Sequence, residues 1–318
     1  MEKNISVIIP NYNGEKLLLS NLPFVVKNCH GCEIIVVDDG SVDNSITTLR
    51  KKFKKIKLVA LKKNQGFANA VNAGVNKATK DFVLLLNSDV KPKENFLKPL
   101  IKYLNTKKYS NLFAVGLCDL SHENGKIVPR GRGGATFKRG FVEHYPLFPE
   151  MGETFWASGG SSLINRQMFL ELKGLDKLFA PFYWEDIDLC FRAWLHGKIC
   201  LFEPFSKVDH FHAQGFIKSN RSQIFINTVS YKNQFLFVWK NTSSTYLSVL
   251  HILWLPYHFA RALITLDIAF FAGFFWAILK IPALIFNYEL FTLSEVEGST
   301  LNYKLSESEV LSKFAKQQ

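Results

Sequence analysis

Four runs near the start of the chain are apolar at successive positions rather than alternate ones: ISVIIP (5–10), EIIVVDD (33–39), IKLVAL (56–61) and DFVLLLNSD (81–89). A half-exposed strand alternates apolar with polar, so these runs predict strands buried on both faces, as in a parallel sheet. Between them lie NGEKLLLSNLPFVVKN, SVDNSITTLRKKF and NQGFANAVNAGVNKA, each long enough for a crossover helix. The rhythm predicts an α/β fold built on a mostly parallel sheet flanked by helices. Sheets of that kind bind ligands beyond the carboxyl ends of their strands.

Those ends are polar. The first run leads into Pro10, Asn11, Tyr12 and Asn13, and the second into Asp38, Asp39, Gly40 and Ser41. The third leads into Asn64, Gln65 and Gly66, and the fourth into Asn87, Ser88 and Asp89. Any one of these clusters passes for a turn or a helix cap, but four on one sheet edge predict a binding site. Further on, WEDIDLCFRAWLHGK (184–198) has the i, i+4, i+7 stripe of a helix in Ile187, Phe191 and Trp194. Its first turn carries Glu185, Asp186 and Asp188, where the helix dipole favours anions. The aromatic approach FAPFYW places at least one of these carboxylates in apolar surroundings, which raises its pKa and makes it a better proton acceptor. After a strand-like KICLFEP, the stretch VDHFHAQG offers His210 and His212, as neutral nitrogen ligands or as solvent-facing residues.

From about residue 241 the texture changes. YLSVLHILWLPYHFA (246–260) and ALITLDIAFFAGFFWAIL (262–279) are strongly apolar, separated after a break expected at Pro256, and the second holds Asp267 as its one charge. Their length suits helices that lie in, re-enter or just span a membrane, or else a buried hairpin. A polar tail follows, in which Ser306-x-x-Glu309 predicts a capping box at the start of a short helix. Three segments result: 1–240, an apolar helical part at 241–290, and the tail 291–318.

Composition narrows the chemistry. Lys and Arg outnumber Asp and Glu by 39 to 27, a balance that favours an anionic partner such as lipid head groups or a phosphorylated substrate. The densest basic run, RKKFKKIK (50–57), reads as a solvated helix face, and PRGRGG (129–134) as a flexible loop. Five scattered cysteines and the absence of a signal-like apolar start lead to the expectation of a reducing, cytoplasmic setting. The loop PNYNGEKLL has one glycine, so it supplies neither a dinucleotide fingerprint nor the basic, glycine-rich loop of a nucleotidyltransferase, and no P-loop pattern occurs. The basic run holds a single Phe, unlike the interleaved aromatics of an RNA-binding surface, so no nucleic-acid partner is expected. With no glycine loop to hold phosphate, Asp89 at the end of an apolar strand becomes a candidate oxygen ligand for Mg²⁺ or Mn²⁺ bridging to a diphosphate. Such an ion neutralises a diphosphate leaving group, as transfer from a nucleotide sugar requires.

In order and spacing, VIIPNYNG, IIVVDDGSVDNS, NQGFANAVNAG, LLLNSDV, ASGGSSLINRQMF, WEDIDLCFRAWLHGK and DHFHAQG resemble the family 2 inverting glycosyltransferases of GT-A fold. Within that family they look most like the rhamnosyltransferase-like branch, which builds bacterial surface polysaccharides. The resemblance covers about residues 4–240. It implies a single displacement with a divalent cation, a nucleotide-sugar donor such as dTDP-rhamnose or a UDP- or GDP-sugar, and a lipid-linked or growing glycan as acceptor at the cytoplasmic side of a membrane. By the same resemblance, Pro10, Asn11 and Asn13 floor the nucleotide, Asp38 and Asp39 contact base and ribose, and Asn64, Gly66 and Asn69 line nucleotide and sugar. Asp89 closes the metal motif, with Ser88 before it on the nucleotide side and Asn87 where the family's first Asp stands. His210, or in competition His212, is the second metal ligand. Trp156, Gly159 and Gly160 fall on the acceptor and sugar side. Asp186 is the general base, while Glu185 and Asp188 orient the acceptor or cap the helix.

Overall fold

The computed structural model describes residues 4–123, 125–211, 221–286 and 304–315. Its first part runs β1 (Ile5–Asn11), α1 (Glu15–Asn28), β2 (Glu33–Asp38), α2 (Ser45–Lys52), β3 (Lys57–Ala60), α3 (Phe67–Lys77) and β4 (Phe82–Leu86). β1 lies between β2 and β4 and is parallel to both, and β3 continues parallel beyond β2. The sheet then becomes mixed. β5 (Val90–Pro92), β6 (Leu112–Glu123), β7 (Lys126–Arg130), β8 (Gly133–Lys138), β9 (Phe141–Pro146), β10 (Gly152–Glu153), β11 (Ser161–Asn165) and β12 (Ile199–His210) follow. β11 is antiparallel to both β4 and β6, and β12 runs parallel to β6. β8 and β9 form a separate hairpin.

The runs of β1, β2 and β4 do bury both faces, whereas β3 does not: at the end of the sheet, its Lys57 and Ala60 are exposed and Leu58 and Val59 only half-buried. In β1, Ile8 joins one core layer and Val7 and Ile9 the other; in β4, Val83 and Leu85 separate from Leu84 and Leu86 in the same way. One layer is closed by Val71 and Val75 of α3, the opposite one by Leu18, Leu22 and Val25 of α1. Gly74 lets α3 sit close, because a Cβ there would lie 2.5 Å from Ile8 Cγ2 and 2.9 Å from Val37 Cγ2. Each buried Val, Ile or Leu is worth about 1.5–3 kcal/mol, and a slip by one residue would turn every side chain to the other layer. Register is therefore fixed by the core, and the polar strand ends are held in place as a consequence: Asn11 pairs opposite Asp38.

Further helices include α4 (Arg166–Glu171), α5 (Glu185–Leu195), α6 (Gln223–Asn241), α7 (Thr245–Ile264), α8 (Ile268–Ile278) and α9 (Glu307–Ala315). Two expectations change here and a third holds. Pro256 lies inside α7 without ending it. The break comes instead at Leu266, whose φ is 52°, and at Asp267, which caps α8 by accepting from Phe270 N. PRGRGG is divided between β7 and β8, with Arg132 hydrogen-bonded to the carbonyls of Glu153 and Phe148, so it is ordered sheet edge. In the tail, the Ser306–Glu309 capping box opens α9, which returns to the main body and buries Val310, Leu311 and Phe314.

Candidate active site

A cleft of about 890 Å³ opens at the carboxyl ends of β1, β2 and β4. Pro10, Asn11, Asn13, Asp39, Asn64, Gly66, Ser88, Asp89, Gly159, Gly160, Glu185, Asp186 and His210 all line it. Residues from seven separate stretches of sequence thus meet in one place.

One wall carries the groups suited to a cation. Asp89 sits between β4 and β5, and the pairing of β5 with β12 sets His210 opposite Val90, so His210 Nε2 lies 3.5 Å from Asp89 Oδ1. The other ring nitrogen, Nδ1, is 3.2 Å from Asp119 Oδ2, and Asp119 Oδ1 accepts a 2.6 Å hydrogen bond from Ser161 Oγ. A carboxylate behind an imidazole fixes ring orientation and raises basicity, as at many metal-bound histidines. Burial disfavours the imidazolium, but Asp119 and Asp89 outweigh it and push the His210 pKa up to about 10. The pair of donors fits a hard divalent ion: 3.5 Å is short enough for both to reach one centre at about 2.1 Å each. Asn87 Oδ1, buried with no hydrogen-bond partner among the described residues, adds a neutral oxygen on the same wall.

The facing wall is the start of α5. Asp186 Oδ2 accepts from Gly159 N at 2.9 Å and Oδ1 from Ile187 N at 2.9 Å. Burial raises the Asp186 pKa, and these two donors partly oppose it. Glu185 is 7% exposed, its Oε2 has no partner among the described residues, and burial together with the Asp186 charge pushes it up to about 8. At neutral pH Glu185 holds its proton, which spares Asp186 a second adjacent charge. A single dipeptide joins the two walls. Gly159 N bonds Asp186, and Gly160 O accepts from Asn87 N. A Cβ on Gly160 would lie 2.9 Å from Asn87 Nδ2, so any side chain there would have to displace the Asn87 amide.

The loop that presents these carboxylates is held under strain. Tyr183 and Trp184 both have positive φ, 72° and 75°, a region costly for bulky residues. Asn233 of α6, fully buried, donates from Nδ2 to the carbonyls of Phe179, Phe182 and Tyr183 at 2.8–2.9 Å. The neighbouring Lys232 Nζ donates to Ala180 O, and burial and Lys280 bring its pKa down to about 7 against the pull of Glu185.

Four of the expected residues do not line the cleft. Asp188 is fully buried outside the cleft, bonded to Arg192 Nε at 2.9 Å, to Lys240 Nζ at 2.8 Å and to Asn241. Burial raises its pKa, but the cations prevail and hold it below the usual carboxylate range; it ties α5 to α6. Asp38 is buried beneath the cleft, accepting from Asn11 Nδ2 and Ser41 N. Asn69 turns back to Gln65 O, and the Trp156 ring rests against Gly133 and the edge of His144. His212 lies outside the described residues. Sequence reasoning did not single out Asp119, Asn233, or the cleft-lining cations Lys16 and Arg221. Asp119 was detectable as a lone carboxylate within the apolar run of β6.

Residues 6–172, just over half of the chain, match the family described as Glycosyl transferase family 2. N-acetylgalactosaminyltransferase 6 of Drosophila melanogaster is 28% identical over 193 residues, which is 57% of this chain and 29% of that protein. The chain spans 29% and 37% of the length of two curated relatives it matches. Among solved structures, GalNAc-T7 with UDP, GalNAc and Mn²⁺ superposes with a TM-score of 0.60 at 19% identity, covering 74% of this chain and 48% of that one. The Pyrobaculum calidifontis mannosyltransferase PcManGT with GDP-Man and Mn²⁺ does so at 0.54 and 14% identity, over 99% of this chain and 84% of the other. At these identities the likeness concerns the fold, which agrees with the mostly parallel sheet and its cleft. On the family match, the chain belongs to glycosyltransferase family 2.

Proposed function

We propose that the chain is a membrane-associated, metal-assisted inverting glycosyltransferase. It moves a sugar from a dTDP-, UDP- or GDP-sugar to a hydroxyl of a lipid-linked or growing cell-surface glycan, with its catalytic part at the cytoplasmic face of the membrane. The observation that carries this reading is the Gly159-Gly160 dipeptide, which sets a base on one wall beside cation ligands on the other. The nucleotide lies over Pro10, Asn11 and Asn13, against the turn at Asn64 and Gly66, whose backbone Asp39 holds through Gln65 N and Gly66 N. Its diphosphate points to the wall of Asp89 and His210, with Lys16 and Arg221 as positive neighbours.

Mg²⁺ or Mn²⁺ held by Asp89 and His210, with Asn87 Oδ1 within the same wall, supplies charge neutralisation for the leaving diphosphate. The chain's own residues do the rest. An acceptor oxygen attacks the anomeric carbon opposite the diphosphate; its electron pair forms the new C–O bond while the old C–O pair leaves with the diphosphate. The acceptor proton passes to Asp186, and configuration inverts. A desolvated base with raised pKa suits this transfer, and Gly159 N and Ile187 N fix the direction of its oxygens.

Membrane association is supported by α7, which is long and apolar enough to cross a bilayer, with 20 residues and mean hydropathy 1.3. Ile252, Leu253, Leu263, Ile264, Ile268 and Phe275 are exposed on α7 and α8, and large apolar side chains left exposed in such number mark membrane or protein contact. The reading is tested by a thermal-shift panel of UDP-, GDP- and dTDP-sugars with and without Mn²⁺. One donor should raise the melting temperature with the ion and much less without it; no shift from any donor would refute it.

A further inference from the structure

A second cavity, about 420 Å³, lies between β9, α6 and Trp184, and none of its lining residues lines the cleft. Asn227, Ser230, Tyr231 and Gln234 of α6 line it, and their i, i+3, i+4, i+7 spacing places them on one helix face. The adjoining faces of α6 carry Val229, Lys232, Asn233 and Phe235, all buried. A polar stripe on a surface helix ordinarily meets bulk water. This one meets water at Asn227, while its half-buried Ser230, Tyr231 and Gln234 look across an open cavity at Glu143 and His144 of β9 and the indole of Trp184.

The lining chemistry selects among ligands. Two carboxamides, a hydroxyl, a phenol, an imidazole and one carboxylate offer both donors and acceptors, and Val142 is the single aliphatic residue among them. A lipid tail would find too little apolar surface, and a phosphate would meet Glu143 with no Lys or Arg in the lining. A neutral polyhydroxylated ring matches donors and acceptors alike, and the volume falls in the range of about 300–1,000 Å³ typical of small-molecule sites.

Position adds a second argument. Trp184 immediately precedes Glu185 and Asp186, the His144 and Trp184 rings are 5.4 Å apart, and His144 stands within electrostatic reach of Asp186. On its other side, Tyr231 OH donates to Asp267, the cap of α8, at 2.7 Å. The cavity is thus built between the base and the apolar helix pair.

The geometry points to this cavity as a saccharide subsite for the acceptor, holding a neutral sugar ring of the glycan while a hydroxyl nearby reaches Asp186. It rests on the glycosyltransferase reading, and it adds where and by what chemistry the acceptor is held. A glycan anchored in lipid would present its sugar here with the anchor on the exposed face of α7 and α8.

The test uses the full chain in detergent and six methyl glycosides as probes, those of glucose, galactose, mannose, rhamnose, N-acetylglucosamine and N-acetylgalactosamine, read by saturation-transfer NMR and titration. At least one binds the wild type, and the double variant N227A/Q234A binds it about 10-fold more weakly or worse. Ser230→Trp, which fills the cavity from an accessible position, abolishes that binding. Both variants keep the wild-type melting temperature and the wild-type response to nucleotide. Binding of no glycoside by the wild type, or undiminished binding by the variants, overturns the subsite. Those results leave the nucleotide response intact if the parent reading holds, whereas loss of that response in the wild type removes both.

Discussion

Replacing Asn233 by Ala isolates the clamp that holds the catalytic loop. Its amide presents two protons to three carbonyls, those of Phe179, Phe182 and Tyr183. Counted as two full hydrogen bonds, the clamp contributes about 1–3 kcal/mol net, and stranding the carbonyls adds to the loss. Against it stand Tyr183 and Trp184 at positive φ, which cost about 1–3 kcal/mol each. The strain of the two residues together, about 2–6 kcal/mol, equals or exceeds the clamp, so without Asn233 the loop relaxes and Asp186 leaves its position beside Gly159. A shift of about 2–3 kcal/mol corresponds to roughly 30–150-fold in the population of the competent loop. Nucleoside diphosphate release, followed in a coupled assay, should show kcat falling by that order. Donor affinity, which depends mainly on the ends of β1, β2 and β4, should change far less. The melting temperature should drop by several degrees, since a loss of about 1 kcal/mol shifts a domain of this size by about 2–4 °C. A variant whose kcat matches wild type, or recovers fully well below its melting temperature, would refute the clamp.

Three further outcomes follow from the geometry. Asp119→Asn removes the carboxylate behind His210, so Mn²⁺ affinity measured by calorimetry should fall about 10–100-fold with metal-free nucleotide binding unchanged; equal Mn²⁺ affinity would dismiss the positioning role. Glu185 has a folded pKa of about 8 against an ordinary 4.5, so the native state holds a proton that the unfolded chain has lost between those values. Its contribution is fully present below about pH 4.5 and is lost as pH rises through 8, and Glu185→Gln should flatten the decline in melting temperature between pH 6 and 9; parallel curves for the two proteins would contradict this. Leu253→Glu with Ile264→Glu places charge on the exposed apolar face of α7 and should release the protein from anionic vesicles in flotation, whereas continued co-flotation would count against a membrane role for this face.

What was legible in the sequence is what local pattern determines. Doubly buried strands read as unbroken apolar runs, and their polar ends converge because core packing fixes register, so Asn11, Asp39, Asn64 and Asp89 could be placed at one cleft before any contact was known. α5 was legible from its stripe. The fate of its three carboxylates was not. Arg192 lies one turn away, but Lys240 and Asn241 come from α6, and only that distant helix separates a structural Asp188 from a cleft-facing Asp186. α6 itself was hidden because its buried face carries Lys232 and Asn233, polar residues whose partners are loop carbonyls rather than apolar neighbours. Asp119 was visible as a carboxylate in an apolar run, but its role was not, because that depends on His210, 91 residues later. Pro256 misled because proline marks a helix end more often than it sits inside one.

The central claim is that Asp186 takes the acceptor's proton while the opposite wall holds the donor, and Asp186→Asn tests it most directly. The substitution keeps the side chain's shape and removes its basicity. With the donor that gives the Mn²⁺-dependent thermal shift, the variant should bind as the wild type does and lose sugar transfer by about 10²–10⁴-fold. Transfer at the wild-type rate with donor binding unchanged would contradict the account.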